Sequence, residues 1–584
     1  MIARRPAFTT ILLTAAAVFP SGPISAAEDE YFPPVRPAAG EELLPATTLA
    51  MATVPSATEF RRRWDNSSFA AMAEDPAFGP FFADVRGRAD RASAVLGVDL
   101  TAVWADVDGE VTVALVPTRS SGMSAVSVME FREEAGARRF LSSLSRRLSD
   151  AGASPLDVAA GGRAITSWST ADRGVKLAVS QQGTQVLVGE GVAVLAELAS
   201  GEDRGEESLA RTEAYQKVRV GMRPAAADGA PPPAVSWFLN PAAVAKAAVA
   251  SNIAGNPNVD VLTAAVDASG LGSFRGFGGL FDLPGGSLDS VTSTYGYVKE
   301  PQGLVRAFVM PATRQSPPPW VNDEVSLYGQ MNFRPEAFVS VVRELVDRMN
   351  GPGAFDRSVG SLPVGDRTVA DVASLLSGPL HVAAEVPQSA EELTRQSTLL
   401  AVETSDPAVA ETFVRALAEA GGAMESAAGG RAVFTLPMSL PLPPELAGAM
   451  RPEVALTVVD GTLLVATDGA YLARVLDGYA DGTARPLSES AAYREIASQY
   501  PAETSAITFQ RQDGRFAGLY EELRQGRLQA AGSVGLLAGV LGFDFTKLPP
   551  FPAMSRYLQT TGSFITPAAD GFRIVSFSLP PREG

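Results

Sequence analysis

His381 is the only histidine in this 584-residue chain, and the chain has no cysteine. That inventory excludes thiol nucleophiles, disulfides, iron–sulfur clusters, zinc fingers and two-histidine metal sites. Any Ser-His-Asp triad would have to use His381, but Gly378-Pro379-Leu380-His381-Val382-Ala383 reads as a strand start, with the imidazole a polar residue at a strand end. No serine stands in a Gly-x-Ser-x-Gly elbow, and no glycine-rich loop ends in Gly-Lys-Ser or Gly-Lys-Thr. The lysines are Lys176, Lys217, Lys246, Lys299 and Lys547, and none follows a serine by three residues, so the Ser-x-x-Lys acylating pair is missing. The glycines around Phe277 lack the spacing of a dinucleotide fingerprint, and Asp106-Val107-Asp108-Gly109 is too short for a calcium loop. No catalytic residue, cofactor or metal ligand is expected.

Carboxylates are the remaining reactive stock: 65 acidic residues could supply the acid and base of a glycosidase, though the sequence cannot pair them. The adjacent pairs Glu133-Glu134, Glu206-Glu207 and Glu521-Glu522 lie in polar surroundings and read as solvated. All five tryptophans, Trp64, Trp104, Trp168, Trp237 and Trp320, precede residue 321 and read as core. The formal charge of -17 opposes nucleic acid and anionic lipid, so neither is an expected partner.

The start of the chain reads as an address. Arg4 and Arg5, the apolar run Ala7 to Phe19 and the small residues Ser25-Ala26-Ala27 have the form of a signal peptide cleaved near Ala27, which makes the exported chain more acidic still. The run is too short for a retained span. Without a cysteine the exported protein cannot be a lipoprotein. It is expected in the periplasm or at the cell surface, with residues 28–44 as a linker.

A self-comparison organises the rest. Ala159-Ala160-Gly161-Gly162-Arg163-Ala164 recurs as Ala427-Ala428-Gly429-Gly430-Arg431-Ala432, and Glu130, Ala137, Phe140 and Leu144 match Glu403, Ala410, Phe413 and Leu417 at an offset of 273. Gly161, Gly162 and Arg163, like Gly429, Gly430 and Arg431, are assigned to equivalent structural turns. Two copies are expected, residues 45–312 and 323–584, around a Pro-rich joint at 313–322, each closing in a strand-like run, Gly303 to Pro311 and Gly571 to Pro580.

Within the second copy, Thr398 to Val402 reads as a strand. Asp406 and Pro407 open a helix whose apolar side carries Val409, Phe413 and Leu417, and Gly421-Gly422 ends it. Val433 to Leu436, Val454 to Val459 and Thr462 to Ala466 follow as a three-strand meander, with Asp460-Gly461 as its tight turn. Two helices and the strand Ala506 to Phe509 complete the unit. The expected fold class is α+β, two tandem copies of a mostly antiparallel sheet with helices packed on one face. Leu528 to Phe543 is uncharged and apolar but only sixteen residues long, and reads as a buried helix.

Leu96-Gly97-Val98-Asp99-Leu100 leading to Gly109-Glu110-Val111-Thr112-Val113-Ala114-Leu115 resembles a module of uncharacterised exported bacterial proteins grouped as a domain of unknown function. The resemblance implies envelope placement and brings no site residues. The expected function is an exported, non-catalytic binding or scaffolding protein of the bacterial cell envelope, its partner an envelope protein, a polymer or an apolar ligand. The competing expectations are a carboxylate-dependent hydrolase of an envelope polymer and a carrier of apolar molecules.

Overall fold

The computed structural model describes residues 39–84, 107–118, 122–150, 152–160, 162–169, 176–199, 208–223, 232–245, 270–332, 334–361, 363–364, 367–368, 375–385, 397–437, 453–526 and 544–581, with Gly87, Trp104 and Asp371. The signal segment, most of the linker, Leu96 to Leu100, Gly161 and Leu528 to Phe543 lie outside the described residues.

The first half opens with α1 (Ala39–Leu43), β1 (Ala50–Val54), α2 (Ala57–Asp65) and α3 (Ser68–Glu74). The end of the segment read as linker is therefore helical, anchored by the buried Leu43 and Leu44. Then come β2 (Val111–Thr118), β3 (Gly122–Glu130), α4 (Glu134–Asp150), β4 (Ser154–Ala160), β5 (Arg163–Ser169), β6 (Lys176–Gln182), β7 (Gln185–Gly189), α5 (Val192–Ala199) and α6 (Glu213–Gly221). β8 (Val235–Leu239), β9 (Phe274–Asp282) and β10 (Ser290–Val298) close it.

The second half runs β11 (Leu327–Met331), α7 (Pro335–Asn350), a two-residue ribbon of β12 (Pro363–Val364) and β13 (Arg367–Thr368), β14 (Leu376–Ala384), β15 (Thr398–Thr404), α8 (Pro407–Gly421) and β16 (Met424–Ala428). β17 (Arg431–Pro437), β18 (Glu453–Val459), β19 (Thr462–Ala466), α9 (Gly469–Ala480), α10 (Ala491–Ala497), β20 (Ala506–Arg511), α11 (Ala517–Arg524), α12 (Phe551–Met554), β21 (Thr560–Ala568) and β22 (Gly571–Ser578) follow.

Among the described residues the pairings of the first half order its strands β4-β5-β6-β7-β3-β2-β1-β8-β9-β10, and those of the second order its strands β16-β17-β18-β19-β15-β14-β11-β20-β21-β22, all antiparallel. One pairing scheme thus occurs twice.

The expectation of two separate sheets is wrong. β10 pairs with β22 over eight residues, from Ser290↔Ser578 to Tyr297↔Gly571, and fuses the halves into one sheet of twenty strands. Each half alone would leave that strand as an open edge of unpaired N–H and C=O groups, and pairing the two removes both edges. The first half's closing strand is consequently β10, and within the run Gly303 to Pro311, read as strand-like, Gly303–Phe308 is a 3-10 helix packed by α7.

Helices on one face only is wrong as well. On β6 and β7, Val179 and Val186 join Phe140 and Leu144 of α4 in one cluster, whereas Ala178 and Leu187 join Leu195 of α5 in another. Adjacent strand residues face opposite ways, so α4 and α5 cover opposite faces. The second half repeats this, with Leu456 and Val458 on the side of α8, and Ala455 and Leu464 on the side of α9. The cluster holding α5, α6, α9 and α10 side chains is continuous across both halves. α4 and α8 therefore lie on the same outer side of the sheet.

The local readings of the second half find their elements. Asp406 caps α8 by accepting from the Val409 N–H at 3.1 Å, Pro407 holds its first position, and Gly422 at φ 64° ends it. The strand Thr398 to Val402 is β15, and the meander gains a fourth strand, β16, whose residues are exposed up to Ala427 and carry no apolar alternation.

Candidate functional site

Gly162 stands at φ 77° between β4 and β5, and Gly429 and Gly430 at φ 56° and 72° between β16 and β17. Positive φ at both central positions is the twist-matched hairpin turn that glycine makes cheaply. A Cβ on Gly429 would lie 2.5 Å from the Leu476 carbonyl oxygen, so glycine is also required there by close approach. Arg163 reaches Gln185 across the sheet, and Arg431 reaches Asp460 at 2.7 Å, each tying its hairpin to the next one. These residues do not converge on a cavity.

His381 lies inside β14 and not at a strand end: it is 2% exposed and stands opposite Gln330 on β11 and Ala401 on β15. Tyr328 Oη donates to Gln330 Oε1 at 3.1 Å and lies 3.0 Å from His381 Nδ1, so in the Nδ1–H tautomer the imidazole donates to Oη. Trp320 packs edge-on against the imidazole, and Nε2 is buried without a partner among the described residues. Burial lowers its pKa to about 4, which keeps the ring neutral. This is a packed aromatic core position.

The convergent polar side chains lie elsewhere, in a pocket of about 250 Å³ between α2 and the loop from β9 to β10, lined by Arg62, Arg63, Asn66, Ser67, Leu283 and Asp289 among others. Ser56 caps α2 by accepting from the Glu59 N–H at 3.2 Å, which starts the helix so that Glu59, Arg62 and Arg63 share one side. Glu59 accepts from Arg62 at 2.6 Å and from Arg63 Nε at 2.8 Å, and these two guanidiniums, Arg62 foremost, hold its carboxyl down to about 2. Arg63 is 6% exposed and donates its Nη1 to Asp282. Burial pushes the Asp282 carboxyl up, and Arg63 pulls it back toward the charged form.

Asp289, 8% exposed, closes the other wall. It accepts from the Ser68 N–H at 3.2 Å, from Ser68 Oγ at 2.6 Å and from Gln559 Nε2 at 2.7 Å. Gln559 belongs to the second half, so the pocket wall is completed across the two halves. Its carboxylates are thereby committed to structural donors, and the buried atom left over is Arg63 Nη2, a donor without an acceptor among the described residues. Guanidinium does not give up its proton at any working pH, so this arrangement can hold an oxygen atom but cannot relay a proton.

Sequence reasoning missed Arg63, Asp282, Asp289 and Gln559. The signal available was Ser56-x-x-Glu59 followed by the triple Arg61-Arg62-Arg63, a helix start carrying more cations than a short surface helix needs. Nothing local announced Asp289 or Gln559. Among the described residues there is no group of three metal-ligating side chains, and no helix is long and apolar enough to cross a membrane. No family model, no curated protein and no solved structure matches this chain.

Proposed function

We propose that the protein is an exported, non-catalytic binding or scaffolding protein of the bacterial cell envelope, composed of two copies of one unit, and that the pocket at α2 receives a carbonyl or hydroxyl oxygen of an envelope polymer or partner protein. The observation that carries this reading is the state of the pocket's polar groups: Glu59, Asp282 and Asp289 are all engaged by donors, while Arg63 Nη2 is free to donate. A glycosidase needs one carboxyl kept protonated as an acid and another free as base or nucleophile. Glu59 is held near 2 as a carboxylate, and both oxygens of Asp289 are taken up by the Ser68 N–H, Ser68 Oγ and Gln559 Nε2. The export reading is supported by Arg4, Arg5, the apolar run and the small residues before Glu28, and by the resemblance carried on Leu96 to Leu100 and Gly109 to Leu115.

The test is co-sedimentation of the purified protein with envelope polymer, such as cell-wall sacculi, with mass spectrometry of the supernatant. Binding without released fragments is the expected result. Soluble fragments that disappear in Asp289→Asn would replace this reading by the hydrolase. Intact-mass measurement of protein recovered from the envelope should give a chain starting near Glu28, and a species retaining Met1 to Ala27 would overturn cleavage.

A further inference from the structure

The two outer helices have the same inside and opposite outsides. Ala137, Phe140 and Leu144 of α4 correspond to Ala410, Phe413 and Leu417 of α8, and these apolar residues face the sheet in both. At the same offset, Arg138 and Arg146 of α4 correspond to Glu411 and Glu419 of α8, and all four are exposed. Arg138 is paired with Glu134 at 2.5 Å, and α8 carries one exposed cation, Arg415, between its two glutamates. Arg139, however, adds a third exposed cation to α4, and with Arg146 it pairs with no acid among the described residues, so the outer face of α4 is net basic and that of α8 net acidic. Arg138, Arg139, Ser142, Ser143 and Arg146 line a shallow concavity of about 420 Å³ along the helix. In a chain of net charge -17 this is a local reversal of sign.

These helices flank the two free ends of the sheet. β4 pairs only with β5 and β16 only with β17 among the described residues, so each presents an unpaired edge. Counting back from the hairpin turns, Leu156 on β4 and Met424 on β16 hold the same position, and they are 65% and 72% exposed. Large apolar side chains on unpaired strands are an invitation to pair. Because the sheet is antiparallel throughout, β4 and β16, first and last of twenty strands, run in opposite directions. A second copy in the same orientation therefore lays its β4 antiparallel on β16. Pro155 lacks an N–H, which limits this pairing to Leu156 to Ala160 against Met424 to Ala428.

We propose that this surface is an interface between copies of the same chain: the basic α4 and edge β4 of one molecule dock on the acidic α8 and edge β16 of the next, extending the sheet head to tail. α4 against α4 or α8 against α8 would set like charges together, so a closed two-fold pair is disfavoured and the contact is heterologous. At physiological salt the screening length is about 8 Å, so contacting Arg–Glu pairs outlast the repulsion between two acidic molecules.

The experiment is light scattering and sedimentation of the purified full-length mature protein over a concentration series, with two charge-swapped variants, Arg138→Glu/Arg146→Glu and Glu411→Arg/Glu419→Arg. The wild type should form a ladder of dimers, trimers and longer species that grows with concentration. Each variant alone, facing like charge with like, should associate at least about tenfold more weakly. Mixing the two variants restores both complementary contacts and should restore association. All four positions are exposed, and unchanged circular dichroism checks the fold. A wild type that stays monomeric, one that stops at a dimer, variants that associate like wild type, or a mixture that fails to recover would each overturn the proposal.

Discussion

Ser290 and Ser578 face each other across the junction of the two halves, their hydroxyls 2.7 Å apart, at one end of the only strand pair that links the first ten sheet strands to the second ten among the described residues. At the other end Tyr297 stands opposite Gly571, and Asp570 is held by Tyr295 and by Lys217. The junction is closed at both ends by polar contacts between residues 275 to 353 positions apart, and its middle is backbone ladder.

Gly571 has no room for a side chain, since a Cβ there would lie 1.9 Å from the Gly296 carbonyl oxygen. Gly571→Ala should therefore push β22 away from β10 and cost about 2 kcal/mol, the usual scale of overpacking. Urea denaturation followed by tryptophan fluorescence measures it, and a loss under about 0.5 kcal/mol would show that the strands yield freely.

Asp289 should couple the halves energetically. Asp289→Ala removes the acidic acceptor shared by the half-buried Ser68 and Gln559, leaving Gln559 Nε2 only Ser68 Oγ at 3.1 Å, and should cost about 2 kcal/mol, the scale of lost hydrogen bonds to a charged group. In a double-mutant cycle with Gln559→Ala the two losses should fall short of additivity by about 1 kcal/mol. Strict additivity would mean that the contact across the halves carries no energy.

Removing Arg63 should be far worse than removing Arg62. Arg63→Met abandons the buried Asp282 carboxylate and should cost about 3 to 5 kcal/mol, whereas Arg62→Met breaks a pair whose guanidinium is exposed and should lower stability far less. Thermal unfolding of the two variants side by side decides it, and similar losses would contradict the assignment of Arg63 as the buried member.

His381 should make the protein acid-sensitive. Its folded pKa of about 4 lies below the ordinary 6.5, so the unfolded chain takes up this proton first as pH falls. The stability it contributes is complete above pH 6.5 and is lost as the pH falls toward 4, by about 3 kcal/mol at most. His381→Gln should be less stable at pH 7 because it disturbs Tyr328, but its stability should fall less steeply between pH 6.5 and 4 than that of the wild type. Parallel pH profiles would place the sensitivity in other groups.

Short-range physics was legible in the sequence. Asp406 and Pro407 start α8 and Gly422 ends it, because caps and φ preferences act within a few residues. Asp460-Gly461 and Gly429-Gly430 form tight turns for the same reason, and the equal spacing of Phe140, Leu144, Phe413 and Leu417 marks the two helices that pack alike. The scarcity of histidine and cysteine also bounded the chemistry before any fold was known.

Only the tertiary structure decided how the halves meet and where the polar groups converge. The apolar content of β10 and β22 says that each strand is buried, yet hydrogen bonding between strands uses backbone groups that every residue carries, so no side chain names its partner. Alternation along β6 and β7 could not reveal that both faces are covered, since a strand apolar on both sides reads only as continuous. Arg63, the pair Asp282 and Asp289, and Gln559 come from three distant stretches of chain, and their contacts follow from the path of α2 over the sheet and the fusion at Ser290 and Ser578. Local sequence sets which elements form. Long-range burial and edge pairing set which of them touch.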